Sequence, residues 1–169
     1  IGVIGTTGRW VMPQLLTQLS REHPRLKPII SEGSTSSLVY ALQEGHLEAA
    51  IVHLPIDDPE LQIEPLFAED LMVLVHTSNP LAGREQMPLA ELATHPLLLA
   101  PTGTSLRRVV DRAASQVGAT LTALAEIDGV RLLASLAFEG YGPAIVPATS
   151  VPRWLKGNFA TIRVPELPR

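Results

Sequence analysis

Apolar and polar residues follow one another in blocks whose period switches between that of a strand and that of a helix. Ile1 to Gly5 is a short β-branched run, and it leads through Thr6, Thr7 and Gly8 into Met12, Leu15, Leu16 and Leu19, spaced along one helix face. Pro24 stops that helix. Leu26 to Ser31 then reads as a second strand, and Gly33, Ser34 and Thr35 offer N-cap chemistry for a helix carrying Leu38 and Leu42, which Gly45 ends. Leu47 to Leu54 is a third apolar run. Strand and helix thus alternate twice in the first 54 residues, as in a parallel sheet with covering helices.

The rhythm breaks after the loop at Pro55 to Pro59, where Leu61 to Phe67 and Leu71 to His76 both read as strands with no helix between them. Beyond Ser78, Asn79 and Pro80, a short helix is expected over Leu89 to Ala93 and a buried strand over Pro96 to Ala100. The polar turn Thr102, Gly103, Thr104, Ser105 precedes the clearest helical stripe of the chain: Leu106, Val109, Val110, Ala113, Ala114 and Val117. Gly118 closes it. A strand over Leu121 to Ile127, a helix capped by Asp128 and ended by Gly140, and a strand at Ala144 to Val146 complete the pattern, with Pro165 and Pro168 interrupting the last residues.

Composition narrows the chemistry. The chain has 169 residues, 46% hydrophobic, and no cysteine, so disulfides, thiolate metal sites and thiol nucleophiles are excluded from it. Its net charge is -4, and its eleven Arg and two Lys are dispersed, which is not the charge pattern of a nucleic-acid surface. No apolar run approaches the roughly 20 residues of a membrane span, so no membrane partner is expected. Ile1 opens a strand with no initiator Met before it, as expected of a piece of a longer protein.

Nucleotide motifs fail. Gly2, Gly5 and Gly8 have G-x-x-G-x-x-G spacing, whereas close approach to a pyrophosphate needs G-x-G-x-x-G, and neither lysine follows a glycine-rich turn. His23, His46, His53, His76 and His95 never pair at i, i+4, so all five read as structural or solvated, and neither a metal nor a cofactor is expected. What remains are the hydroxyl-rich turns Thr6-Thr7, Ser34-Thr35 and Thr102 to Ser105, each between a strand and a helix. Taken singly, each is most economically an N-cap. Taken together they suggest a pocket for an anion, because free N–H groups and the positive end of a helix attract a carboxylate while a hydroxyl adds a donor.

The segments IGVIGTTGRWVMPQLLTQLSREHP, SEGSTSSLVYALQEGHLEAAIV, IEPLFAEDLMVLVHTSNPLAG and GYGPAIVP, in that order, resemble the effector-binding domain of LysR-type transcriptional regulators over almost the full length. The resemblance implies an α/β, two-lobed fold like type 2 periplasmic binding proteins, each lobe a mostly parallel sheet flanked by helices. Lobe I would comprise residues 1–75 plus 147–169 and lobe II residues 76–146, with crossover strands near His76 and Val146. It further implies a sensor, not an enzyme, that binds a small metabolite, expected to be a carboxylate or other anion, between the lobes. Thr6, Thr7, Ser34 and Thr35 would contact it, with Thr102, Thr104 and Ser105 on the second lobe. Such a domain self-associates through lobe I and meets DNA only through an N-terminal helix-turn-helix domain absent from this chain, in the cytoplasm. A solute-binding protein of the same fold, or an enzyme of unknown type, is the alternative.

Overall fold

The computed structural model describes residues 1–151 and 156–168. The chain divides into two compact units, Ile1–Leu54 and Pro55–Arg169.

The first unit is built on three short parallel strands, β1 (Gly2–Val3), β2 (Ser31–Glu32) and β3 (Ala50–Ile51), in the order β2-β1-β3. Two helices connect them, α1 (Gly5–Glu22) and α2 (Thr35–Gln43). The expected turn at Thr6 to Gly8 is the first turn of α1 itself, so this helix starts directly at the end of β1. Successive residues of a strand face opposite sides of its sheet, and the helices use both sides. Gly8 of α1 lies against Val3, whereas a Cβ on Gly2 would meet Leu38 of α2 at 2.8 Å. Gly2 therefore permits α2 to approach the sheet backbone more closely than any side chain would allow.

The second unit carries a five-stranded sheet in the order β6-β5-β7-β4-β8, from β4 (Leu71–His76), β5 (Pro96–Leu99), β6 (Thr122–Glu126), β7 (Ala144–Pro147) and β8 (Phe159–Arg163). Helices α3 (Leu89–Leu92), α4 (Ser105–Gln116) and α5 (Val130–Phe138) pack with it. Its apolar runs are continuous because both faces are covered. Val73, Val75, Leu97, Leu99 and Ile145 face a cluster with Val110, Ala113 and Ala114 of α4, while the intervening Leu74, Leu98, Ala144 and Val146 face Leu133, Ala134 and Ala137 of α5.

Several expectations are corrected. No strand forms over Leu61 to Phe67, whose residues 62–67 are exposed; an apolar run without a partner strand leaves its backbone groups to water. The N-cap of α5 is Gly129, with no side-chain cap, and not Asp128. A mostly parallel sheet describes the first unit, but the second is mixed, since β4 runs antiparallel to both β7 and β8. Apart from these corrections, the first compact unit ends at Leu54, and β4 pairs with both β7 and β8, so these three strands share one sheet; the division into lobes of 1–75 plus 147–169 and 76–146 stays what the resemblance implies.

Candidate anion site

In the first unit the carboxyl ends of adjacent parallel strands bring the predicted hydroxyls together. Gly33 N–H donates to Val3 O at 3.2 Å, which sets Ser34 and Thr35 beside the end of β1, where Thr6 begins α1. The three play different parts. Ser34 is the N-cap of α2: its Oγ accepts from Ser37 N–H at 3.2 Å and it shares hydroxyl contacts with Ser36 and Ser37. Thr35 Oγ1 accepts the His53 N–H at 3.3 Å, leaving its own proton to donate elsewhere. Thr6 does not cap. The N-cap of α1 is Ile4, with no side-chain hydrogen bond, and Thr6 is 4% exposed with its Oγ1 buried and without a hydrogen-bond partner. Thr7 beside it is fully buried.

A buried hydroxyl left unpaired costs about 1 to 3 kcal/mol, so its persistence at a helix start calls for a reason. The first N–H groups of an α-helix also lack intrahelical acceptors, and Gly5, Thr6 and Thr7 hold those positions here. Backbone donors, the positive helix end and an unused hydroxyl thus occur together on the first turn of α1, and these are the kinds of group that an anion uses.

The second unit's hydroxyls are engaged within the unit. Thr104 caps α4, accepting from Arg107 N–H at 3.2 Å and donating to Pro101 O at 2.8 Å. Buried Ser105 accepts from Arg108 Nη2 at 3.2 Å. Thr102 donates through Oγ1 to Glu126 at 3.2 Å, a carboxylate that Arg107 also holds at 2.7 Å. Glu126, at the end of β6, thus supplies an internal anion to this turn, a partnership across 24 residues that the sequence reading missed. Burial alone would lower the Arg107 pKa, but its hydrogen bonds to Asp111 and Glu126 outweigh that and raise it. The same bond to Arg107, with help from Thr102, holds Glu126 below a carboxylate's ordinary 4.5. A group with a depressed folded pKa contributes stability above its unfolded pKa and loses it as pH falls through the folded value. Glu126→Gln is therefore expected to lower the melting temperature at pH 7, where the paired carboxylate contributes, and to flatten the acid limb of the thermal-melt profile below about pH 4.5. An unaltered acid limb would show that the clasp does not contribute.

Comparison with known proteins decides the family. The LysR substrate binding domain family matches residues 1–169. The chain belongs to this family. LysR substrate binding domains are ligand-sensing parts of transcription regulators and not enzymes, and the solute-binding alternative finds no support. A hydrogen peroxide-inducible genes activator from Pectobacterium carotovorum subsp. carotovorum is 32% identical over 154 residues, 90% of this chain and 51% of that protein. The chain thus spans about half the length of this curated relative. The effector-binding domain of BenM with benzoate superposes with a TM-score of 0.78 at 28% identity, covering 97% of this chain and 75% of that one. The QuiR effector-binding domain with shikimate gives 0.89 at 20% identity, over 99% of this chain and 80% of that one, which bears on the LysR fold alone. Among the described residues no helix is long and apolar enough to cross a membrane, and no group of His, Asp or Glu is arranged to hold a metal.

Proposed function

We propose that the first unit binds a small carboxylate or other anion through Thr6 and Thr35, with Thr7 and Ser34 shaping the same helix starts, and that this binding controls DNA binding by the full-length regulator. The observation that carries the reading is the buried, partnerless Thr6 hydroxyl at a helix start without a side-chain cap. A solved relative at 28% identity supports it by its ligand, since benzoate, bound to the BenM effector-binding domain, is a carboxylate. These 169 residues hold no cysteine, so no thiol within them can be oxidised by a peroxide, which favours reversible binding as the mode of sensing in this domain. Such a ligand acts by differential affinity for two arrangements of the regulator. Calorimetry with benzoate and shikimate and with their neutral amides tests the charge requirement. At least one carboxylate is expected to bind about tenfold or more tightly than its amide, as loss of a charge-assisted hydrogen bond implies. Equal affinities would refute the anionic reading.

Thr102, Thr104 and Ser105 would serve the effector only by exchanging the internal partners described above. Contact with DNA is assigned to a helix-turn-helix domain outside this chain, and the regulator to the cytoplasm. Self-association through the first unit is part of the same proposal. Met12 and Leu38 are buried, but Leu15, Leu16, Leu19, Val39 and Leu42 are only half-buried, which leaves apolar surface for a second copy. Sedimentation at about 100 µM is expected to show a dimer, a concentration at which even weak interfaces are populated, and a monomer there would remove this element.

A further inference from the structure

We infer that His53 is a third ligand-contacting residue of the anion site, an inference that rests on the reading just proposed and adds to it a side chain that the sequence pattern left as structural. The topology of the first unit carries the argument. The chain passes from β1 outward to β2, then returns across β1 to β3, so the connections reverse direction at β1. The helices accordingly cover opposite faces, α1 over Val3 and α2 over Gly2. Between β1 and β3 the connections part to opposite sides, and in open α/β sheets the crevice at the carboxyl ends of two such strands is where ligands bind.

The residues that leave β1 and β3 at that crevice are Thr6 and His53. The ends of the two strands lie side by side: Val3 pairs with Ile51 and Ile4 N–H donates to Ile51 O at 3.1 Å, after which one strand turns into α1 at Gly5 and the other runs on to His53, two residues past its end. His53 is also tied to the other half of the site, because its backbone N–H donates to Thr35 Oγ1 at 3.3 Å. Its ring Nε2 is enclosed, like the Thr6 hydroxyl. One residue therefore links the ends of β3 and β2 beside the end of β1, where the partnerless Thr6 hydroxyl independently marks a place for a ligand atom.

Imidazole offers one N–H donor when neutral and two donors with a positive charge when protonated. Next to two hydroxyls and the start of α1, it completes a donor set matched to a carboxylate, whose two oxygens accept about four hydrogen bonds. Thr6 and Thr35 alone do not fill that capacity.

The test uses the whole 169-residue chain, isotopically labelled and titrated with sodium benzoate and with shikimate to about 20 mM, enough to populate millimolar sites. NMR is read at the Thr6 and Thr35 amides and at the His53 ring nitrogens. The three are expected to move along one binding curve with at least one of the carboxylates, and His53→Leu to weaken that affinity about fivefold or more, with His53→Gln intermediate. If Thr6 and Thr35 move while the His53 ring does not and His53→Leu binds equally well, this inference is overturned and the anion site stands. If neither threonine moves with either carboxylate, the anion site falls and this inference with it. Should the leucine variant fail to fold, the ring shift of the unaltered chain decides.

Discussion

Thr6→Val is expected to lower affinity for the effector anion tenfold to a hundredfold while leaving the fold as stable as before, or more stable by about 1 kcal/mol. A hydrogen bond to a charged group is worth about 1.5 to 3 kcal/mol, and Thr6 Oγ1 has no partner of its own to lose. Exchanging the hydroxyl for a methyl group of similar shape also removes the desolvation cost of an unpaired buried polar atom. An N-cap would behave in the opposite way, because its removal costs about 0.5 to 2 kcal/mol of stability, but α1 is capped by Ile4 without a side-chain bond. Thr35→Val provides the contrast. It should lose affinity and also roughly 1 kcal/mol of stability, since the His53 N–H then loses its acceptor. Calorimetric affinity and a denaturant midpoint on both variants separate these outcomes, and a Thr6→Val protein that is less stable with unchanged affinity would remove Thr6 from the site.

Leu98→Ala carries the largest expected stability loss, about 2 to 5 kcal/mol, the range for deleting a fully buried leucine side chain where neighbours cannot collapse into the gap. Leu98 has no exposed surface and lies on β5, between β6 and β7, with Leu74, Leu133 and Ala144 in the same cluster. At about 2 to 4 °C per kcal/mol for a chain of this size, the melting temperature should fall by roughly 5 to 20 °C. A shift below about 2 °C would mean that this cluster is not a tightly packed core. Because Leu98 lies in the second unit and the threonines in the first, the anion site of the Leu98→Ala protein should keep its affinity at temperatures where the second unit remains folded.

Much of this architecture is legible in the residues because burial follows local periodicity. In Leu71 to His76, Pro96 to Leu99 and Ala144 to Pro147, unbroken apolar runs announce strands covered on both faces, and the stripe on α4 announces the helix that covers one of them. Hydroxyls at strand ends likewise mark the helix starts at Ser34 and Thr104, where the side chain bonds the backbone three residues ahead. What escaped depends on distant partners. Leu61 to Phe67 has strand-like composition but no strand beside it, and no local pattern reports a missing neighbour. Thr102 reads as a free donor until β6 brings Glu126 to it, and His53 reads as a lone histidine until the register of β3 places it at Thr35. The boundary at Leu54 is hidden for the same reason, since β8 can be assigned to a unit only by the strand it pairs with.

The central claim is that an anion supplies the partner missing at Thr6, and a crystal structure of the chain with its tightest-binding carboxylate tests it most directly. The expected result is a carboxylate oxygen at about 2.5 to 3.0 Å from Thr6 Oγ1, the normal range for hydroxyl donors, with the second threonine, Thr35, donating to the same group. A carboxylate bound elsewhere, with Thr6 Oγ1 still lacking a partner, would contradict it.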